Sequence, residues 1–317
     1  MTNSRRVRTA VVGTGALGQH HARIYGALPA AELVGVYDVD TARCQEIAAA
    51  HGTRALGSLT EVIEQAEAVS VVVPTDQHRA VAGTLIEAGL HVLIEKPIAA
   101  TTAEARELVA LAQDRDVIVQ VGHVERFNPV LSYLERAAPQ PRFIEAHRLA
   151  PYPPPRRGLH PRGTEVSVVL DLMIHDIEVI LHLVQSPVKA VHAVGAPVLS
   201  PTEDIANVRL AFENGCVANI TASRISPERM RKIRVFLEDA YISLDYQAQA
   251  GEIFRKVASG FDREPVPIEK GEPLANQLDS FIGCVARRDQ PVVSGEHAAR
   301  ALSLAIDILE RLGEGAS

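Results

Sequence analysis

The chain is short of cysteine, of charge imbalance and of long apolar runs, and each shortage removes a class of protein. Its three cysteines, Cys44, Cys216 and Cys284, stand far apart with no CxxC spacing. That excludes a disulfide framework and a thiolate zinc site and points to a reducing compartment. Adjacent His20 and His21 do not make a metal site either, because neighbours on a helix point different ways. With 32 basic and 39 acidic residues the net charge is −7, which argues against a general nucleic-acid binder. No uncharged apolar run approaches the ~18 residues of a membrane span; the longest candidate, around Ile177 to Val184, carries Glu178 and His182. The first residues lead almost directly into a strand and leave no room for a signal peptide, so a cytoplasmic location is expected. There is no internal repeat and no low-complexity tract.

What is present is a chain of 317 residues, 47% hydrophobic, enough to bury a sizeable core in one large domain or two ordinary ones. Residues 8–121 alternate short apolar runs with amphipathic segments. Strands are expected at Arg8–Val12, Glu32–Tyr37, Ala68–Val73, His91–Glu95 and Val117–Val121, and helices at Gly18–Ala27, Thr41–Ala50, Gln77–Ala88 and Thr102–Gln113. That alternation implies a parallel sheet covered on both faces. Gly122-His123-Val124-Glu125-Arg126-Phe127-Asn128-Pro129 then breaks the pattern and reads as a domain crossover. Beyond it, strands are expected at Arg142–Leu149, Val188–Val198, Ile205–Glu213, Cys216–Arg224, Lys232–Leu237, Ala240–Tyr246 and Glu252–Ala258. Asn214-Gly215 is a hairpin signal, and strands in direct succession imply a mostly antiparallel sheet. Glu296–Leu312 has the spacing of an amphipathic helix. The expected architecture is α/β: a doubly wound parallel sheet over residues 1–122, then an α+β domain with a large open sheet over 123–317. The last helix could instead pack back on the first domain.

Gly13-Thr14-Gly15-Ala16-Leu17-Gly18 fits GxGxxG, following a strand and opening a helix, the context in which that pattern binds a dinucleotide. The first glycine permits the turn, the second lets backbone approach a pyrophosphate, the third lets helix pack on strand, and the helix N-terminus attracts the phosphates. Asp38 follows Gly18 by twenty residues at the end of the second strand, where an acid can hold ribose hydroxyls and repel a 2′-phosphate; NAD is the expected cofactor. The competing role for Asp38, capping the helix that starts at Thr41, can fall to Asp40 instead. Lys96 ends the fourth strand in Glu95-Lys96-Pro97, fixed by the proline where doubly wound sheets place their ligands. It can polarise a substrate oxygen there, or it is a solvated lysine closing a strand. The Lys96-Pro97 bond is a candidate for the cis form.

Val166–Val184, VSVVLDLMIHDIEVILHLV, is apolar nearly all round and reads as a buried helix. Asp171 and His175 share one face at i, i+4. Either they satisfy each other, or Asp171 orients His175 as a general base on a substrate hydroxyl. Asp176 adds a nearby acid, read as a packing or capping residue. The stretch 147–162, rich in proline and arginine and free of acids, offers Arg148, Arg156, Arg157 and Arg162 to a phosphate or carboxylate; a solvated loop is the alternative.

Taken together, Gly13, Gly15 and Gly18, Glu95-Lys96-Pro97 and Asp171-x-x-x-His175 resemble the Gfo/Idh/MocA oxidoreductases across essentially the whole chain. The resemblance implies that Lys96 lies beside nicotinamide and substrate, that His175 is the acid/base and that Asp171 assists it. It places cofactor contacts on the Gly13–Gly18 loop (Gly13, Thr14, Gly15, Ala16, Leu17, Gly18), Asp38, Pro74, Thr75, His78, Glu95, Lys96 and His123. Many members have Thr-Pro where this chain has Pro74-Thr75. The segments around His123 and Asp171 look most like members that oxidise UDP-N-acetylglucosamine at its 3-hydroxyl, giving a 3-keto sugar for amino-sugar synthesis. Arg126, Asn128, Arg148, Arg156, Arg157 and Arg162 are then the candidate substrate contacts. A free-sugar or inositol dehydrogenase and a non-catalytic NAD-binding regulator are the alternatives. A homodimer or homotetramer is expected, because the second sheet has little predicted helical cover.

Overall fold

The computed structural model describes residues 5–155, 161 and 163–314. The chain divides into two compact units: residues 1–124 with 272–300, and residues 125–271 with 301–317.

In the first unit β1 (Val7–Val12), α1 (Gly18–Ala27), β2 (Ala31–Tyr37), α2 (Thr41–Ala50), α3 (Leu59–Gln65), β3 (Ala68–Val71), α4 (Thr75–Glu87), β4 (His91–Glu95), α5 (Thr102–Asp114) and β5 (Val119–Gly122) follow in chain order. The five strands form one parallel sheet ordered β2-β1-β3-β4-β5. The chain winds from β1 outward to β2 and then returns to β3 on the other side, so the direction switches between β1 and β3. Ligands of such sheets bind outside the strand ends at that switch. The strands fall where the apolar runs placed them, with every end within two residues of its expected position. Helix starts follow local capping: Asp40, Ser58 and Thr101 accept from backbone N–H groups of α2, α3 and α5, each cap contributing about 1 kcal/mol. The short helix α3 was not foreseen.

This unit is completed from the far end of the chain. Helix α8 (Pro273–Arg287) brings Leu278, Phe281, Ile282 and Val285 into the cluster built on Val11, Val36, Ile47 and Leu93. Their i, i+3, i+4, i+7 spacing makes the buried stripe, and each such burial contributes about 1.5–3 kcal/mol. Just beyond, Val121 N–H donates to the Val293 carbonyl at 3.0 Å.

The second unit opens with a 3₁₀ turn, mostly within it, at Val124–Phe127, then α6 (Pro129–Ala137) and β6 (Phe143–Leu149). A π-helical turn at Val169–Met173 leads into α7 (Ile174–Val184). The strands β7 (Val188–Ala196), β8 (Ile205–Phe212), β9 (Val217–Ser223), β10 (Met230–Phe236), β11 (Ala240–Asp245), β12 (Ala250–Val257) and β13 (Gly260–Pro265) follow. With β6 they make an eight-stranded sheet ordered β13-β12-β11-β10-β6-β9-β8-β7, antiparallel except for the β6–β9 pair. The Asn214-Gly215 turn joins β8 to β9, as expected. Alternate residues of the strands, among them Ile144, Val208, Ile220, Val235 and Ile242, form one core with Ile177 and Ile180 of α7. Ala301, Ala305 and Ile308, from α9 (Gly295–Glu314), join the same core. The opposite face carries a ladder of rings, Phe143–Phe236–Tyr241–Phe254, with centroids 5.5, 4.6 and 5.2 Å apart. Among the described residues no helix is long and apolar enough to cross a membrane.

Candidate active site

The glycine loop is built for a phosphate group. Gly13 has φ +93°, the left-handed region that favours glycine, and a Cβ there would strike the Val72 carbonyl just past β3. A Cβ on Gly18 would overlap the Gly13 carbonyl. At Gly15, by contrast, nothing lies within 4 Å of that position. The loop is thus closed on the protein side and open on the other. The N-terminus of α1 has no side-chain cap and no acid in its first turn, so its N–H groups and dipole are left to an anion.

Asp38 is tied to this loop. Its Oδ2 accepts from Thr14 N–H at 2.6 Å and from Thr14 Oγ1 at 2.9 Å, and its Oδ1 accepts from Asp40 N–H at 2.9 Å. Asp40, not Asp38, caps α2, accepting from Arg43 N–H at 3.1 Å. Arg43 also donates to the Thr14 carbonyl at 3.2 Å, a brace not foreseen from sequence. Ala16 and Leu17 complete the loop, and Pro74 and Thr75 sit at the start of α4.

Around the end of β4 the expected cofactor contacts separate into two kinds. The Lys96-Pro97 bond is cis, and Lys96 is half-buried. Glu95, expected to touch the cofactor, is turned to the protein instead. Its carboxylate sits over the bare Cα of Gly122, where a Cβ would come within 2.9 Å. It pairs with Nε2 of the fully buried His21 at 3.2 Å and accepts from Lys96 N–H at 3.3 Å. Burial pushes this carboxyl up, but His21 and the Lys96 charge outweigh it and hold it below the usual range. His78 is likewise a packing residue: it is buried, with Nδ1 2.9 Å from the Pro97 carbonyl and Nε2 2.9 Å from the Val73 carbonyl. Burial draws its pKa down against those two carbonyls. Each ring nitrogen faces a backbone carbonyl, and the neutral ring can donate to one of them through its single N–H, so His78 packs between the chain just past β3 and just past β4. His123 is buried just past β5. His20 is exposed where His21 is buried, as adjacent helical positions require.

In the second unit Asp171 lies in the π-helical turn and His175 in the first turn of α7, both half-buried. Single π-helical turns are frequent at functional sites. The Asp171 carboxylate rests against Gly163, where a Cβ would come within 2.5 Å of Oδ2.

The arginines expected to meet substrate are placed differently. Arg148 is buried, and its guanidinium forks onto Asp176 (Nε–Oδ2 2.7 Å, Nη2–Oδ1 3.0 Å) while Nη1 reaches Glu125 at 2.9 Å. Burial lowers its pKa, but the two carboxylates outweigh that and raise it. Arg126 is buried against Glu178 at 2.7 Å. Asn128 caps α6, accepting from Val130 N–H at 3.2 Å, and donates to Glu125 and the Tyr246 carbonyl. In this structure the three face internal carboxylates and backbone groups. Arg156, Arg157 and Arg162 lie outside the described residues. Sequence reading missed the partners, Glu125 and Tyr246, and the buried pair Arg224–Asp204. Nothing local marks the pairs Arg148–Glu125, Asn128–Tyr246 and Arg224–Asp204, whose members stand 23, 118 and 20 residues apart.

Comparison with known proteins agrees with this layout. Residues 7–123 match the family described as Gfo/Idh/MocA oxidoreductases with an NAD-binding Rossmann fold, and residues 138–243 match the Gfo/Idh/MocA C-terminal domain. The chain belongs to the Gfo/Idh/MocA oxidoreductase family. It is 35% identical over 95% of its length, and 96% of the other chain, to UDP-N-acetylglucosamine 3-dehydrogenase of Acidithiobacillus ferrooxidans. The solved structure of that enzyme superposes with a TM-score of 0.90 over 97% of this chain and 98% of its own. A scyllo-inositol 2-dehydrogenase (NAD⁺) of Bacillus subtilis is 26% identical over 95% of this chain and 92% of its own. A levoglucosan dehydrogenase solved with NADH, 17% identical, shares the fold at a TM-score of 0.86 over 98% of each chain. The protein is therefore an NAD-dependent oxidoreductase of the class that acts on CH–OH groups, and the open glycine loop fits that cofactor.

Proposed function

We propose that this protein oxidises a secondary hydroxyl of a nucleotide-sugar, UDP-N-acetylglucosamine at C3, to a 3-keto sugar. The observation that carries the reading is full-length similarity to an enzyme of that name, at 35% identity. Asp171-x-x-x-His175 and Glu95-Lys96-Pro97 are both in place. The loop Gly13–Gly18 and the α1 N-terminus would hold the pyrophosphate of NAD, and Asp38 the ribose. NAD supplies the hydride acceptor when bound. His175 takes the hydroxyl proton, oriented by Asp171. Lys96 steadies the oxygen as negative charge develops on it. Glu95, His21 and His78 hold the strand end that carries Lys96.

The test is NAD⁺ reduction by the purified protein with UDP-N-acetylglucosamine, UDP-glucose, glucose and inositol in parallel. UDP-N-acetylglucosamine should be oxidised with the highest kcat/KM, and a preference for inositol or free glucose would replace the substrate assignment. Lys96→Met should cut kcat by orders of magnitude with NAD affinity nearly unchanged. His175→Ala should cost roughly 10²–10⁴ in rate. If either variant turned over like the parent, its role here is wrong.

The ring ladder on the uncovered face of the second sheet, continued by Phe261 at 71% exposure, supports a homodimer or homotetramer packed through that face. Light scattering at micromolar concentration should give a multiple of the chain mass; a monomer would refute it.

A further inference from the structure

We propose that the buried Arg224–Asp204 pair is a positioning device for Asp171, acting through the backbone of Gly163. The proposal rests on the roles given above to Asp171 and His175.

Arg224 is 2% exposed, among the largest fully buried side chains of the protein. Neutralising its charge takes one bond, from Nε to Asp204 Oδ1 at 2.7 Å. The remaining donors go to chain around the π-helical turn. Nη1 donates to the Gly163 carbonyl at 2.6 Å and the Val166 carbonyl at 2.8 Å, and Nη2 to Thr202 Oγ1 at 2.9 Å and the Glu203 carbonyl at 3.1 Å. With these bonds the full donor set of a guanidinium is used. Asp204 is itself anchored, its Oδ2 accepting from the N–H groups of Val198, Leu199 and Ser200 at 2.9, 2.6 and 2.8 Å. Thr202 Oγ1 donates to the Val166 carbonyl at 3.0 Å, and Val168 N–H to the Glu203 carbonyl at 2.9 Å. The segment entering the π-helical turn is therefore clamped at three carbonyl and amide positions.

The first clamped residue is the one that touches Asp171. Gly163 has φ +82°, and a Cβ on it would stand 2.5 Å from Asp171 Oδ2 and 3.2 Å from Oδ1. The carboxylate packs, Oδ2 foremost, against a Cα that has no side chain, and the carbonyl of that same residue is held by Arg224. A shift of this backbone moves the surface that sets the Asp171 rotamer, and through it the imidazole of His175. An oriented base loses rate steeply when displaced by an ångström.

The experiment is a double-mutant cycle of Gly163→Ala and Asp171→Ala in the full chain, with NAD⁺ reduction by UDP-N-acetylglucosamine as the assay and melting temperature alongside. Gly163→Ala alone should lower kcat about 10- to 100-fold with sugar KM and NAD affinity unchanged, a split that general loosening would not produce. On the Asp171→Ala background it should lower kcat no further and depress the melting temperature less, because the carboxylate it strikes is gone. Arg224→Lys, which can keep the Asp204 pair but cannot span both carbonyls, should show the same kcat-only loss and the same non-additivity. Equal losses in both backgrounds, or unchanged kcat in Gly163→Ala and Arg224→Lys, would overturn the positioning role. Parent-like turnover by Asp171→Ala would instead overturn the catalytic reading on which it stands, while the melting-temperature cycle would still report the contact.

Discussion

Arg148 separates a structural from a substrate-binding arginine most sharply. Its guanidinium neutralises Asp176, 2% exposed, and Glu125, 5% exposed. Replacing it with Met keeps the volume and leaves both carboxylates in place. Removing one partner of a buried ion pair costs about 3–5 kcal/mol, because the remaining charge keeps its desolvation penalty. Asp176 has no other ion pair among the described residues and should contribute most of this. Glu125 retains Asn128 at 3.1 Å and a longer pair with Arg231 at 3.7 Å. For a unit of this size each kcal/mol lowers the melting temperature by roughly 2–4 °C, so a fall of roughly 6–20 °C is expected. Calorimetry on Arg148→Met measures it, with NAD affinity as the control that the first unit is intact. Arg148→Met combined with Asp176→Leu should recover much of the loss, since a well-packed apolar pair can match a buried ionic one. A fall of under about 2 °C, with a raised KM for UDP-N-acetylglucosamine, would show that Arg148 faces substrate and refute the internal-network argument.

Two further outcomes follow from the geometry. Gly122→Ala places a methyl group within 2.9 Å of the Glu95 carboxylate. It should displace the His21–Glu95 pair and lower kcat about tenfold or more, as mispositioned catalytic groups do, with the NAD dissociation constant nearly unchanged; parent-like kcat would mean that Glu95 does not support Lys96. Burial raises the Asp204 carboxyl, but Arg224 and the N–H groups of Leu199 and Ser200 outweigh it and hold its pKa well below the ordinary carboxylate range. Its stabilisation is therefore present above the unfolded pKa and lost as pH falls through the folded value. The stability gap between the parent and Asp204→Asn, read by denaturant titration, should hold constant above about pH 5 and shrink progressively below it; a gap that stays constant into acid would contradict the sign.

The first sheet was readable because each level of sequence pointed the same way. Gly18–Ala27, Thr41–Ala50 and His91–Glu95 fall on the residues that the periodicity assigned, and Gly13 and Gly18 were readable because only a missing side chain fits there. The omissions have separate physical causes. In α6, Asn128-Pro129 is a helix start, although as a break in the alternation the same residues suggest a crossover and a substrate contact. In β13 every residue is exposed, so no apolar alternation marks it. Among the proposed site residues, Lys96, Asp171 and His175 are marked by sequence motifs, whereas the partners of Arg148 and Arg126 are not. Charge type is written in the sequence; the choice between an internal carboxylate and a bound phosphate is made by pairings such as Arg148–Asp176, 28 residues apart.

Helix α8 carries a consequence for how the protein is made. Its apolar stripe joins the core of a sheet whose last strand ends at Gly122, some 150 residues earlier on a ribosome that adds roughly 5–20 residues per second. The nascent dinucleotide fold must wait, with part of its sheet bare, while all eight strands of the other sheet are synthesised. The unit that begins first cannot close until nearly the whole of the second has been made, and a chain cut anywhere before Arg287 would leave it without its full cover.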